Sequence, residues 1–197
     1  MLKKKQGGDP DMRKDFGAKT WMYPLPVLMI GTYNADGTPD VMNAAWGGIS
    51  EEAEISVCVD DAHLTADNFQ ARGAFTVSIA TADYVTECDY LGVVSGRDVP
   101  DKVARAGFHT VKSAFVDAPI VEELPLTLEC EVISYDVPTC RLVGRIVNVS
   151  ADEKILGSDG LVDPALLRPI TYDPVHRRYL ALGEKVGNAF SDGLKLK

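Results

Sequence analysis

Between Leu124 and Ile133 the chain alternates with the period of a pleated strand. Leu126, Leu128, Cys130 and Val132 fall on one face, and Thr127, Glu129 and Glu131 on the other. Asp136-Val137-Pro138 breaks the run, and Arg141 to Val149 returns as its hairpin partner. A second antiparallel pair lies between Pro26 and Trp46. Val27 to Thr32 is apolar and β-forming, and Asn34, Asp36, Gly37 and Pro39 carry turn chemistry. Glu54 to Val59 and Ala74 to Ala80 read as further strands, the latter with Phe75, Val77 and Ile79 on one side. Tyr179 to Leu182 is a last short strand.

Helical signals are short and lie between the strands. His63 to Arg72 is followed by Gly73, a natural stop. Asp83 to Val94, Val99 to Ala106 and Asp163 to Leu167 are three more, the last with Asp163 as N-cap and Pro164 in the first position. Many short strands with few helices predict a mainly β fold: a closed or nearly closed Greek-key barrel with helical insertions. The expected organisation is an N-terminal tail over residues 1–20 and one domain over residues 21–197.

Charge and cysteine usage exclude several classes of function. The net charge is −9, which counts against nucleic-acid binding, since phosphates need facing cations. The one basic run, Lys3-Lys4-Lys5, reads as a solvated tail; no apolar core follows it, so it is not a signal peptide. No apolar stretch is long enough for a bilayer. Cys58, Cys88, Cys130 and Cys140 form no CxxC pair, and the chain has three histidines, so no metal centre is expected. Free thiols without a leader point to the cytoplasm.

The most ligand-like segment is Asn43-Ala44-Ala45-Trp46. Two small residues let a flat ligand approach the backbone, Asn43 can donate and accept at a ring edge, and Trp46 supplies an apolar wall. A packed hairpin with a core tryptophan fits the same residues. His63, Thr65 and Asn68 read either as an anion site at a helix start or as plain capping, with Thr65 bonding the N–H of Asn68. Cys88 is a candidate redox thiol or a small buried helix residue. The acidic neighbours Glu87 and Asp89 favour the second.

Taken in order, PVLMIGTYNADGTPDVMNAAW, HLTADNF, GAFTVSIAT, CDYLGVVSGRDVPDK, LPLTLECEV, LVGRIVNVSADE and the closing Tyr179-to-Gly183 segment resemble the flavin-reductase-like proteins with an FMN-binding split barrel, in particular the flavoredoxin branch. The resemblance spans about Trp21 to Gly183. It implies a homodimer with non-covalent FMN near the subunit interface, fed by NADH, NADPH or a small redox protein.

The resemblance puts Asn43, Ala44, Ala45 and Trp46 at the isoalloxazine ring, with Thr32 on the preceding strand. His63, Thr65 and Asn68 fall on the phosphate side, and Ser78, Ala80 and Thr81 at the end of a strand beneath the flavin. Lys102, and with it Arg97, becomes a cation toward the phosphate or ribityl chain. One departure stands out. Relatives that serve two-component monooxygenases carry a Gly-Asp-His where this chain has Val137-Pro138-Thr139-Cys140, so a nicotinamide-stacking histidine is missing. The expected function is an FMN-dependent oxidoreductase passing electrons to flavin, iron or another acceptor. The alternatives are a flavoredoxin-type carrier that does not turn over NAD(P)H, a flavin-binding protein without redox turnover and, more remotely, a pyridoxamine-phosphate-oxidase-like activity.

Overall fold

The computed structural model describes residues 13–197; the reading of Lys3-Lys4-Lys5 lies outside the described residues. A two-residue strand β1 (Leu25–Pro26) leads into the hairpin of β2 (Leu28–Tyr33) and β3 (Pro39–Ala44). Its turn is built as the sequence predicts. Gly37 takes φ 86°, and Asp36 accepts the N–H and hydroxyl of Thr38. Next come β4 (Gly47–Glu51), β5 (Glu54–Cys58), α1 (Leu64–Arg72) and β6 (Ala74–Ile79). The middle of the chain carries α2 (Val85–Val93), α3 (Lys102–Arg105), β7 (Thr110–Lys112) and β8 (Pro119–Val121). The long pair β9 (Leu126–Asp136) and β10 (Arg141–Ala151) follows, then α4 (Pro164–Leu167), β11 (Ile170–Asp173) and β12 (Arg178–Ala181).

Seven strands form one antiparallel sheet in the order β3-β2-β6-β9-β10-β5-β4. Its two edge strands, β3 and β4, are joined only by Ala45 and Trp46. Three peptide steps reach at most ~11 Å, so the sheet must curl until its edges nearly meet. The result is the expected split barrel, and connections that jump between its halves give it Greek-key character. Its interior holds Leu28, Ile30, Ala44, Ile55, Val57, Phe75, Val77, Cys130 and Leu142, and α1 plugs one end with Ala66 and Phe69. A second apolar layer lies outside β2 and β3, where Val27, Met29 and Val41 meet Cys88 and Leu91 of α2, Val103 of α3, Phe108 and Ile170.

Several elements differ from the sequence expectation. β4 carries no strand signal in the sequence, because Gly47-Gly48-Ile49-Ser50-Glu51 has no alternation and becomes a strand only by pairing with β5. The short strands β1, β7, β8 and β11 were equally silent. The expected helix over Val99 to Ala106 is reduced to α3, since Pro100 lacks an N–H and disfavours helical geometry at Val99. α2 starts at Val85, after a single tight turn over Ala82–Tyr84. The polar face of β9 is only partly solvated. Glu129 is buried, accepting the Ser113 hydroxyl and, at 2.6 Å, the amide of Asn148.

The β9–β10 hairpin also carries the tightest packing in the barrel. A Cβ on Gly144 would lie 2.3 Å from Cζ of Phe75 and 3.3 Å from Cβ of Cys130. Gly144→Ala should therefore destabilise the fold by about 1–3 kcal/mol through overpacking. Urea denaturation measures it, and an unchanged midpoint would contradict this picture of the core.

Candidate functional site

Asp40 on β3 is the centre of a buried polar cluster. It pairs across the hairpin with Thr32 on β2 and is 2% exposed. Its Oδ2 accepts the Thr65 hydroxyl at 2.7 Å, and its Oδ1 lies 3.2 Å from the ammonium of Lys102, itself 3% exposed. Lys102 also donates to the carbonyls of Val94 (3.2 Å) and Leu91 (3.5 Å) at the C-terminal end of α2, the negative end of that helix. Asn68, one turn after Thr65, donates to Thr32 Oγ1 at 3.1 Å and to Asn34 Oδ1 at 2.8 Å. One network thus ties α1, α2 and α3 to the end of the β2–β3 hairpin.

Above this network lies a pocket of about 280 Å³. It is lined by Asp40, Met42 and Asn43 from β3, His63, Leu64 and Thr65 from the start of α1, the chain from Leu91 to Gly96, and Lys102. α1 is nine residues long, and its N-cap His63 makes no side-chain bond to the first turn. Ala66 N–H bonds the His63 carbonyl at 3.0 Å, and the N–H groups of Leu64 and Thr65 are left to solvent or to a ligand. Gly96 is a cradle residue, because a Cβ there would lie 2.5 Å from Oδ1 of Asp40. Arg97 bridges the Ala62 carbonyl and the carboxylate of Asp67 (2.7 Å), fastening this loop to the head of α1.

Asn43 points the other way across β3, toward α2. Its amide donates to the Cys88 carbonyl at 3.2 Å and lies 3.5 Å from the Tyr179 hydroxyl; its carbonyl oxygen accepts no hydrogen bond among the described residues. Gly92 permits this approach, since a Cβ there would come within 2.9 Å of Asn43 Cβ. A second pocket of about 360 Å³ opens beside it and shares Asn43, Gly92 and Val93 with the first.

The structure therefore brings Asn43, His63, Thr65 and Lys102 to one pocket, with Thr32 and Asn68 bonded directly behind it. Ala45 lines the second pocket and Ala44 is packed inside the barrel. Trp46 is not a core residue. It is 56% exposed and walls an apolar groove of about 410 Å³ with Trp21, Met22 and Leu25. Ser78, Ala80 and Thr81 line neither pocket. Ser78 bonds Thr127 at 2.8 Å, Ala80 is held between Val27 and Ile170, and Thr81 bridges to Pro169.

Two expected roles change. Lys102 turns inward to Asp40 and two carbonyls, so it does not offer a free cation to the pocket. Thr65 neither caps α1 nor leaves its hydroxyl proton for a ligand, because that hydroxyl donates to Asp40. Asp40 itself escaped notice in the sequence, where an aspartate after a turn proline looks like turn chemistry. Cys88 is buried, and burial with the nearby Glu87 pushes its thiol up to about 12, which makes it inert at neutral pH. Among the described residues no His, Cys, Asp and Glu cluster suits a metal, and no helix is long and apolar enough to cross a membrane.

Comparison with known proteins finds the flavin reductase like domain matching residues 20–179. Among solved structures, the flavoredoxin of Desulfovibrio vulgaris (Miyazaki F) is 40% identical, with a TM-score of 0.89 over 92% of this chain and 100% of that one. The flavoredoxin of Methanosarcina acetivorans is 25% identical, with a TM-score of 0.84 over 94% of this chain and 100% of that one. Nitrilotriacetate monooxygenase component B from Bacillus cereus shares the fold at 21% identity, with a TM-score of 0.72 over 84% of this chain and 87% of that one. No curated protein sequence matches.

The buried pair yields a direct test. Lys102→Met removes the cation and strands Asp40, at an expected cost of about 3–5 kcal/mol. Adding Asp40→Asn should recover much of that loss, because the uncompensated charge is then gone. Denaturation of the four proteins in the cycle measures it; strictly additive losses would show that the two side chains do not act as a pair.

Proposed function

We propose, from the premise that this chain belongs to the flavin reductase like domain family and to its flavoredoxin branch, that it binds FMN non-covalently in the pocket between β3, the head of α1 and the 91–96 segment. The observation that carries the reading is the convergence of Asn43, His63, Thr65 and Lys102 on that pocket from three separate stretches of chain. The residues fit the group. The uncapped α1 start and the exposed ring of His63 suit the phosphate. Gly92 and Gly96 let the 91–96 segment pack directly against Asn43 and Asp40, and the spare carbonyl oxygen of Asn43 can accept from a ring-edge N–H. Lys102 and Thr65 hold the floor through Asp40.

When bound, FMN supplies the one- and two-electron chemistry, and the protein supplies position, exclusion of water and polarity. The reaction we propose is electron transfer from NADH, NADPH or a protein donor to a flavin, iron or other acceptor. A second reading, a flavoredoxin-type carrier without NAD(P)H turnover, is favoured by the 40% identity to a flavoredoxin over 92% of the chain and by the lack of a histidine at 137–140. We also propose that the protein is a homodimer. Exposed Trp21, Met22 and Trp46 around one apolar groove support a second copy covering that face, a state that sedimentation would report.

Added FMN should bind, stay with the protein through gel filtration and be released by acid. His63→Ala should weaken FMN more than riboflavin, and the difference should shrink in salt, because only FMN carries the phosphate. Asn43→Ala should weaken both flavins alike, by about 0.5–1.5 kcal/mol. Protein that takes up no FMN overturns the reading. Anaerobic NADH or NADPH then separates the two functions. Bleaching of the flavin band indicates a nicotinamide-fed oxidoreductase, and bleaching by dithionite alone indicates the carrier.

A further inference from the structure

The second pocket, beside Asn43, has its own recognition chemistry. Its walls are Asp89 and Val93 of α2 and the side chains of Tyr172, Arg177 and Tyr179 from the β11–β12 hairpin. The two tyrosine rings lie 6.1 Å apart, tilted by 55°. The Tyr179 hydroxyl donates to Asp89 at 2.7 Å, and burial together with that carboxylate raises its pKa, so it stays a hydroxyl at neutral pH.

The hairpin turn decides where its cations go. Buried Asp173 accepts the N–H groups of Val175 (3.0 Å) and His176 (3.3 Å), the His176 ring and the Arg178 guanidinium (both 2.9 Å), and the hydroxyl of Tyr23. Of the consecutive basic residues His176, Arg177 and Arg178, the outer two are thus spent on Asp173. Arg177 takes φ 55°, a left-handed conformation that a non-glycine residue adopts only when its surroundings impose it. It lines the pocket and makes no ion pair among the described residues. In a chain of net charge −9, an unpaired arginine on a pocket wall, held there by a fixed turn, is a selective feature.

We propose that this pocket binds a small planar organic anion that also carries a hydrogen-bond donor. Arg177 holds the anionic end, the packed tyrosine pair forms a wall beside the plane, and the second carboxylate oxygen of Asp89 takes the donor. Because the pocket shares Asn43, Gly92 and Val93 with the first one, such a ligand sits next to whatever occupies that site. As the partner in electron exchange, it rests on the FMN reading above; as a binding site, it stands on Arg177 and the hairpin.

The test is titration of FMN-loaded protein with 4-aminobenzoate, followed by calorimetry and by the flavin absorption band. Saturable binding with a shift of that band is expected. Arg177→Gln should weaken it about tenfold or more, and Arg177→Lys less, since the charge is kept while the fork is lost. 4-Aminobenzyl alcohol, without the anion, and benzoate, without the donor, should each bind several-fold more weakly. FMN affinity of Arg177→Gln should stay within about twofold of wild type. Anion binding that Arg177→Gln leaves unchanged, or no binding at all, overturns the proposal. If wild-type protein takes up no FMN, the FMN reading falls separately, and the same calorimetry on flavin-free protein still decides the role of Arg177.

Discussion

The buried carboxylate of Asp40 is the constraint around which the helical part of this molecule is arranged. A charge out of water is costly unless it is paired and hydrogen-bonded, and every partner of Asp40 comes from a different element. Thr65 brings the head of α1, and Lys102 brings α3. Through Lys102 the carbonyls of Leu91 and Val94 bring the end of α2. Compensating the charge of one aspartate therefore fixes three helices against the same end of the β2–β3 hairpin. The pocket is the space these elements leave between them. Its floor is polar and rigid because that floor is the pair itself.

The barrel provides the rigid frame for this arrangement. Its sheet turns back on itself because two residues join strands at opposite edges, so Asn43 near the end of β3 and Trp46 at the start of the return cannot drift apart. Outer-face residues of β3 then meet α2, and inner-face residues meet α1. Adjacent positions on one strand, Met42 and Asn43, thus face different layers. Asn43 borders both pockets for that reason, and Gly92 opposite it lets α2 pack closely against it. Two ligands held on either side of one amide would be neighbours, an arrangement suited to the electron exchange proposed for this member of the flavin reductase like domain family.

Most strands of the large sheet, the end of α1 and the start of α4 are legible from residue pattern alone. The alternation from Leu126 to Val132, the Asn34-to-Pro39 turn, the Gly73 stop at φ 66° and the Asp163 cap on Ala165 all act within a few residues. Local sequence is enough for such features. Much of the first pocket was legible too, through ordered short motifs that carried a family resemblance to Asn43, His63, Thr65 and Lys102. What those side chains do was not. From sequence Thr65 reads as a cap or a ligand donor and Lys102 as a cation toward the phosphate, yet both serve Asp40, 25 residues from Thr65 along the chain. Ser78, Ala80 and Thr81, which the resemblance puts beneath the flavin, line neither pocket and tie the strand end to Thr127, Val27, Ile170 and Pro169.

The sequence by itself determined an antiparallel β protein with short inserted helices, and its family, because periodicity, turn residues and ordered motifs are local properties. Tertiary structure alone decided that the glycine-rich segment after Trp46 is a strand, that Glu129 is buried and that Trp46 is exposed. It alone decided that Arg177 is the one basic residue of its turn left facing a pocket. Three of these depend on pairing that residue pattern does not announce: β5 for the glycines, Ser113 and Asn148 for Glu129, and Asp173 with the distant Tyr23 for the turn. Burial and pairing of that kind are set by packing, and composition carries no trace of them.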